Sequence, residues 1–234
     1  ACKPSKKMMS SRWNLRKVNN RVINRNNNIN GKNKRNIFLY WTGKEYKLIS
    51  ILRNLIYLHS TNGVGYNVIL ITHENAKKYV HIPKYFYNLL PAHQADFVRV
   101  NVICDYGGIW LDSDTLVLDS LDSLFDILDQ KDGFFIRENN EDLANGIFGS
   151  KKDTSLMKEW KKNLKIVLDK KKKKNKWTEI GNSMLTKMFK TNPRLFENYK
   201  IFQGLDNMYP VNWNNCLSLE SNLKLIKKNK NFNI

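Results

Sequence analysis

Residues 93–114, HQADFVRVNVICDYGGIWLDSD, constrain this chain more than any other stretch. Ala95, Val98, Val102 and Tyr106 recur at the three-to-four-residue spacing of one helical face. Asp96 and Arg99 stand three apart, so they lie near each other on that helix. Gly107 and Gly108 end it, because paired glycines favour a tight turn and allow positive φ. Ile109, Trp110 and Leu111 then suit a buried strand. Asp112 and Asp114 flank Ser113, which puts both carboxylates on the same side of an extended chain. Two adjacent carboxylates repel unless a cation lies between them. A hard divalent ion, magnesium or manganese, suits such oxygen ligands.

The surrounding pattern predicts an α/β domain. NIFLYW at 36–41 and NVILIT at 67–72 are β-prone runs. Between them, 44–60 reads as a helix with Leu48, Ile51, Leu52, Leu55, Ile56 and Leu58 as a broad apolar face. Short helices are expected at 74–80 and 85–90, and TLVL at 115–118 continues the strand after Asp114. Further on come a helix over 120–129, a strand at 133–137 and a helix over 152–169 striped by Leu156, Trp160, Leu164 and Val167. Strand–helix–strand alternation argues for a central, mostly parallel sheet flanked by helices. His73 reads as a satisfied loop histidine, and no histidine pair has zinc-ligand spacing.

Charge divides the chain. The net formal charge is +19, yet residues 93–142 hold twelve acidic residues against three basic ones. Residues 1–35 carry eleven Lys or Arg and no acid, and read as a mobile basic arm; 221–234 form a second basic tail around a domain at 36–220. Such arms suit weak contact with an anionic membrane surface or nucleic acid. A general polyanion binder has no need of the acidic island, so nucleic acid is the less favoured partner. Cys2, Cys104 and Cys216 form neither a disulfide framework nor a metal-ligand pattern, which favours a reducing, cytoplasmic compartment. No apolar run approaches the roughly 18 residues of a membrane span. The chain opens on alanine, so an upstream anchor and a Golgi location stay open.

ADFVRVNVICDYGGIWLDSD resembles the signature of the DXD-containing glycosyltransferases, whose members include mannosyl-, galactosyl- and N-acetylglucosaminyltransferases and bacterial capsular sugar transferases. More distantly it is similar to the large clostridial toxin glucosyltransferases. Ala95, Asp96, Arg99, Gly107, Gly108, Trp110, Asp112 and Asp114 occupy the family's pattern. The resemblance covers roughly residues 36–215. LANGIFGS at 143–150 is similar to a second family patch, with Asn145 in place. GNSMLTKMF at 181–189 keeps Gly181, Leu185 and Thr186, with Asn182 where the family has proline. MYPVNW at 208–213 keeps Tyr209, Pro210 and Trp213.

What the resemblance implies is a GT-A-type fold and transfer of a sugar from a nucleotide diphosphate, UDP-sugar favoured and GDP-mannose possible, to a glycan, lipid or protein hydroxyl. Asp112 and Asp114 would hold manganese or magnesium. Trp41 would stack on the base, and Gly107 and Gly108 would shape the donor site. Asp96 and Arg99 would grip the donor sugar, with Asn145 beside the anomeric centre. Asp206 and Trp213 are additional candidates. The resemblance also implies retention of anomeric configuration.

Each residue has a plainer reading as well. Asp96 and Arg99 would serve as an exposed ion pair worth roughly 0.2–0.5 kcal/mol. Asp112, Asp114 and Asn145 would be turn residues. Trp41 would pack in the core, and Lys170 to Lys174 would be a solvated loop. Two other functions compete: a basic module binding nucleic acid or anionic surfaces, and a degenerate transferase that binds donor without turnover.

Overall fold

The computed structural model describes residues 35–59, 65–138, 142–169 and 180–203. Most of the basic arm, Cys2, the Lys170 to Lys174 block, Asp206, Tyr209, Pro210, Trp213, Cys216 and the C-terminal tail lie outside the described residues. Six strands form one sheet: β1 (Asn36–Tyr40), β2 (Asn67–Ile71), β3 (Gly108–Leu111), β4 (Gly133–Arg137), β5 (Leu143–Ser150) and β6 (Tyr199–Gln203). Their order is β2-β1-β3-β5-β4-β6. β1 runs parallel to β2 and β3, and β4 runs parallel to β6. β5 alone is reversed, pairing antiparallel with β3 and β4. The sheet is thus mixed α/β and mostly parallel, as the alternation predicts.

Five helices cover it: α1 (Lys47–His59), α2 (Pro91–Tyr106), α3 (Asp122–Gln130), α4 (Ser155–Asp169) and α5 (Asn182–Thr191). β1 shows why its sequence is apolar throughout. Phe38 and Tyr40 enter one core with Val98, Val102 and Trp160, while Ile37 and Leu39 enter another with Leu124 and Phe125. A strand buried on both faces has no polar side to show. Phe135 and Phe148 stack across β4 and β5, with centroids 5.3 Å apart.

Four local readings change. The segment 115–118 is not a strand. The Thr115 N–H donates to the Asp112 carbonyl at 3.0 Å, closing a turn that takes the chain off the sheet. Val117 still reaches the core. In α1, Leu48 and Leu58 are exposed, and Ile49, Leu52 and Ile56 are buried. The short helices predicted after β2 shrink to 3₁₀ turns, Ala76–Lys78 and Phe86–Asn88. At the other end, Arg35 belongs with the domain rather than the arm. It pairs with Asp122 and Asp126 and lies over the Phe125 ring.

The glycine pair makes the turn that the site depends on. Gly107 (φ 68°) caps α2, its N–H donating to the Ile103 carbonyl, and Gly108 (φ 123°) starts β3. A Cβ on Gly108 would come within 2.5 Å of the Asn36 carbonyl oxygen. Glycine is required there both by conformation and by the close approach of β1. No helix among the described residues is long and apolar enough to cross a membrane.

Candidate functional site

Strand direction gathers the candidate residues at one end of the sheet. β1, β2 and β3 are parallel, so Trp41, His73 and Asp112 all follow strands that finish on the same edge. β5 is reversed, so its start, with Asn145, lies on that edge too. The Asp112 N–H donates to the Gly146 carbonyl at 2.8 Å, extending the β3–β5 ladder to the carboxylate. The Ser113 hydroxyl donates to the Tyr40 carbonyl at 2.8 Å and ties this loop to the end of β1. Open α/β sheets bind ligands at such carboxyl ends.

Arg99 is the hub. Its Nη2 lies 3.1 Å from Asp112 Oδ1 and its Nε 3.5 Å from Asp96 Oδ1. Its Nη1 donates to the Asn145 carbonyl. The guanidinium lies over the Trp110 ring, 5.0 Å from the centroid. Asn145 Nδ2 donates to Asp96 Oδ1 at 2.8 Å, and Trp110 Nε1 donates to Asp112 Oδ1 at 2.8 Å. One planar, permanently charged side chain therefore bridges a helix, a strand end and the start of another strand.

Burial decides between the two readings of Asp96 and Arg99. Each residue is only 5% exposed, so they are not a surface pair. Burial pushes the Asp96 carboxyl above its usual range, and Arg99, His93 and the Asn145 amide oppose that push. Burial also raises Asp112, against Arg99 and the Trp110 N–H, with Asp114 and Asp96 adding to the rise. The Asp112 side chain keeps 39% of its surface open, so solvent tempers this effect. Asp114 is exposed beside it.

These residues fit a divalent ion only in part. No group of three or more His, Cys, Asp or Glu that could hold a metal exists among the described residues. Asp112 Oδ1 is committed to Arg99 and Trp110. Asp112 Oδ2 and the Asp114 carboxylate remain as oxygen donors. Magnesium-like ions commonly take one or two protein carboxylates and complete their shell with substrate phosphate and water. That incomplete donor set matches what the chain presents.

Trp41 is half-buried at the end of β1, with Nε1 donating to the Lys44 carbonyl at 3.2 Å and its ring edge-on to Tyr46. It borders a cavity of about 110 Å³ shared with the end of β2. The structure therefore brings together Trp41, Asp96, Arg99, Asp112, Asp114 and Asn145 on one edge. Gly107 and Gly108 sit at the opposite end of β3 and act at a distance, by setting where α2 stops and β3 starts.

Two residues named in the sequence are given no role at the site there. Gly181 appears only as part of the GNSMLTKMF segment; a Cβ on it, just before α5, would lie 2.6 Å from Asn145 Nδ2 and 2.8 Å from Asp96 Oδ1, so it is the floor beneath the Asp96–Asn145 pair. His73 bonds Gln94 and Thr42, and its partners are distant in sequence.

The sequence matches the capsular polysaccharide synthesis protein family over residues 12–232. The chain belongs to that family, which bears out the resemblance to capsular sugar transferases. No curated protein sequence matches it significantly. Among solved structures it is similar to the PaToxG glycosyltransferase, at 18% identity over 68% of this chain and 69% of that one, TM-score 0.49. It is also similar to the apo-form glycosyltransferase GlyE of Streptococcus pneumoniae TIGR4, at 15% identity over 74% and 46%, TM-score 0.47. A third is a glycosyltransferase involved in glycosylation of the major capsid of PBCV-1, at 17% identity over 74% and 83%, TM-score 0.49.

Proposed function

We propose that this member of the capsular polysaccharide synthesis family is a metal-dependent glycosyltransferase of the GT-A type. It moves a sugar from a nucleotide-diphosphate donor, a UDP-sugar first and GDP-mannose second, to a hydroxyl of a glycan, lipid or protein. The observation that carries this reading is the Arg99 hub. A buried arginine holding two carboxylates and an asparagine is costly as mere structure, since apolar residues of similar volume pack as well or better. Its value lies in orienting Asp112 and Asn145 at the open edge of the sheet.

Trp41 stacks on the base. Asp112 and Asn145 face the donor, Asp112 towards diphosphate or sugar hydroxyls and Asn145 towards the anomeric centre. Asp96 and Arg99 touch the sugar through the little surface they expose and hold those two in place. Asp114, with Asp112 Oδ2 directly or through water, would hold manganese or magnesium. A divalent cation there supplies Lewis-acid stabilisation of the charge that develops on the departing diphosphate.

Retention of configuration is the outcome favoured by the resemblance. A double-displacement route needs a free nucleophilic carboxylate near the anomeric carbon. The nearest candidate, Asp96, is bonded by Asn145 and faces Arg99. A front-face course, in which the departing phosphate takes the acceptor's proton, fits these residues better.

A thermal shift with UDP and manganese tests the reading. The midpoint should rise with both together and fall back when a chelator is added. No shift with any nucleoside diphosphate would contradict it.

A further inference from the structure

We infer that His73 reads the base of the donor: held in a single tautomer by Gln94, it presents a hydrogen-bond acceptor that favours a base bearing a ring N–H, as uracil and guanine do, over cytosine and adenine. This inference rests on the transferase reading above and goes beyond it by naming the group that reads the base.

The cavity of about 110 Å³ lies between Trp41, Thr42 and Gly43 after β1 and Thr72, His73 and Glu74 after β2. A stacking indole alone does not distinguish one pyrimidine from another. Discrimination needs a polar atom whose donor or acceptor character is fixed.

The packing around Gln94 fixes it. Gln94 is 3% exposed, and its Nε2 donates to the Leu89 carbonyl at 2.9 Å. The reverse orientation of this amide would set Oε1 against that carbonyl, acceptor against acceptor. Oε1 is therefore the atom that receives the Tyr40 hydroxyl at 2.7 Å and faces His73 Nε2 at 2.6 Å. An amide oxygen only accepts, so His73 Nε2 must carry the proton. Thr42 Oγ1, 3.0 Å from the same nitrogen, takes a share of that N–H. In the neutral ring the proton on Nε2 leaves Nδ1 bare, an acceptor. Among the described residues nothing bonds Nδ1.

The ring is also held in place. Tyr87 meets it edge-on at 5.3 Å, and Tyr40 and Phe86 pack at 6.3 and 6.2 Å. An acceptor in a rigid wall bonds a base that carries a ring N–H, as uracil and guanine do. It opposes the lone pair that cytosine and adenine carry at the corresponding position. Tyr40 and Gln94 are positioning residues, and His73 is the reader.

Calorimetry of the full chain with UDP and CDP, each with manganese, compares two bases of the same size that differ at ring N3 and at the group on C4; the His73 variant then assigns the difference to this side chain. Wild type should bind UDP about tenfold more tightly than CDP, the effect of one buried hydrogen bond made rather than opposed. His73→Phe should remove most of that preference by weakening UDP. Gln94→Leu should narrow it while leaving the histidine in place. Ring-nitrogen NMR of histidine-labelled wild type, which needs no variant to fold, should show His73 protonated at Nε2 and bare at Nδ1. Equal affinities in wild type, an unchanged ratio in His73→Phe, or a proton on Nδ1 would overturn the assignment. CDP bound more tightly than UDP would overturn the assignment of His73 while sparing the transferase reading. No nucleoside diphosphate bound at all would overturn that reading and this one with it.

Discussion

Asn145 donates its side-chain amide to Asp96 at 2.8 Å, joining residues 49 apart in the chain beneath the open edge of the sheet. Arg99 closes the arrangement by pairing with Asp96 and bonding the Asn145 carbonyl. Removing Asp96 therefore leaves the Asn145 amide without its acceptor and the guanidinium without an ion-pair partner. Asp96→Ala should lower turnover about ten- to a hundredfold, the effect of one hydrogen bond to a charged group. Affinity for UDP should stay near wild type, because base and diphosphate are bound elsewhere. Calorimetry with UDP and steady-state donor hydrolysis check the two halves separately.

Arg99→Ala should cost stability as well as activity. It leaves the buried Asp96 carboxylate without its cation, beside the part-exposed Asp112, which amounts to about 3 kcal/mol. Arg99→Lys should recover little, since an ammonium cannot fork between Asp112 and the Asn145 carbonyl. Urea denaturation measures both. A loss of only a few tenths of a kcal/mol would return the pair to the ordinary surface interaction that spacing alone suggests.

Gly181→Ala tests the floor of the site. The new methyl would meet Asn145 Nδ2 and Asp96 Oδ1 inside van der Waals distance. Overpacking of this kind costs about 1–3 kcal/mol. Turnover should fall with it, because the displaced groups, Asn145 and Asp96, belong to the proposed donor site. A thermal melt and a turnover assay on the same preparation decide it.

Acid sensitivity should be detectable at Asp122. The Ser120 hydroxyl, Tyr66 and Arg35 hold its carboxyl below the usual range. A depressed carboxylate contributes stability that is present above its unfolded value of about 3.9. That contribution is lost as pH falls through the lower folded value. Asp122→Asn should therefore be less stable than wild type at neutral pH, with the difference closing in acid. Denaturation midpoints measured on either side of pH 4 give the sign. A gap that widened in acid would contradict it.

Some of this fold could be read from the sequence and some could not, for physical reasons. β1 and the Gly107-Gly108 turn were legible because a strand buried on both faces and a paired-glycine stop depend on local residues. TLVL at 115–118 was misread, since its β-propensity is overridden by one turn hydrogen bond from Thr115 to Asp112. Leu48 and Leu58 were misplaced because α1 is apolar over too wide an arc to fix which side faces the sheet. The motif at 93–114 pointed to Asp96, Arg99 and Asp112, but not to the burial of the first two. That burial comes from Asn145, Gly181 and Trp110, and two of these are far along the chain. Gln94, His73 and Tyr40 carry no signal at all until the fold brings three separate elements together.

The central claim, that Asp112 and Asp114 serve metal-dependent sugar transfer from a nucleotide donor, is tested most directly by donor hydrolysis. A panel of nucleotide sugars with manganese should be compared for wild type and Asp114→Asn. The account predicts that wild type hydrolyses a UDP-sugar, that a chelator stops it, and that Asp114→Asn folds normally but is inactive. Hydrolysis that survives both the chelator and the substitution, or none with any nucleotide sugar, would contradict it.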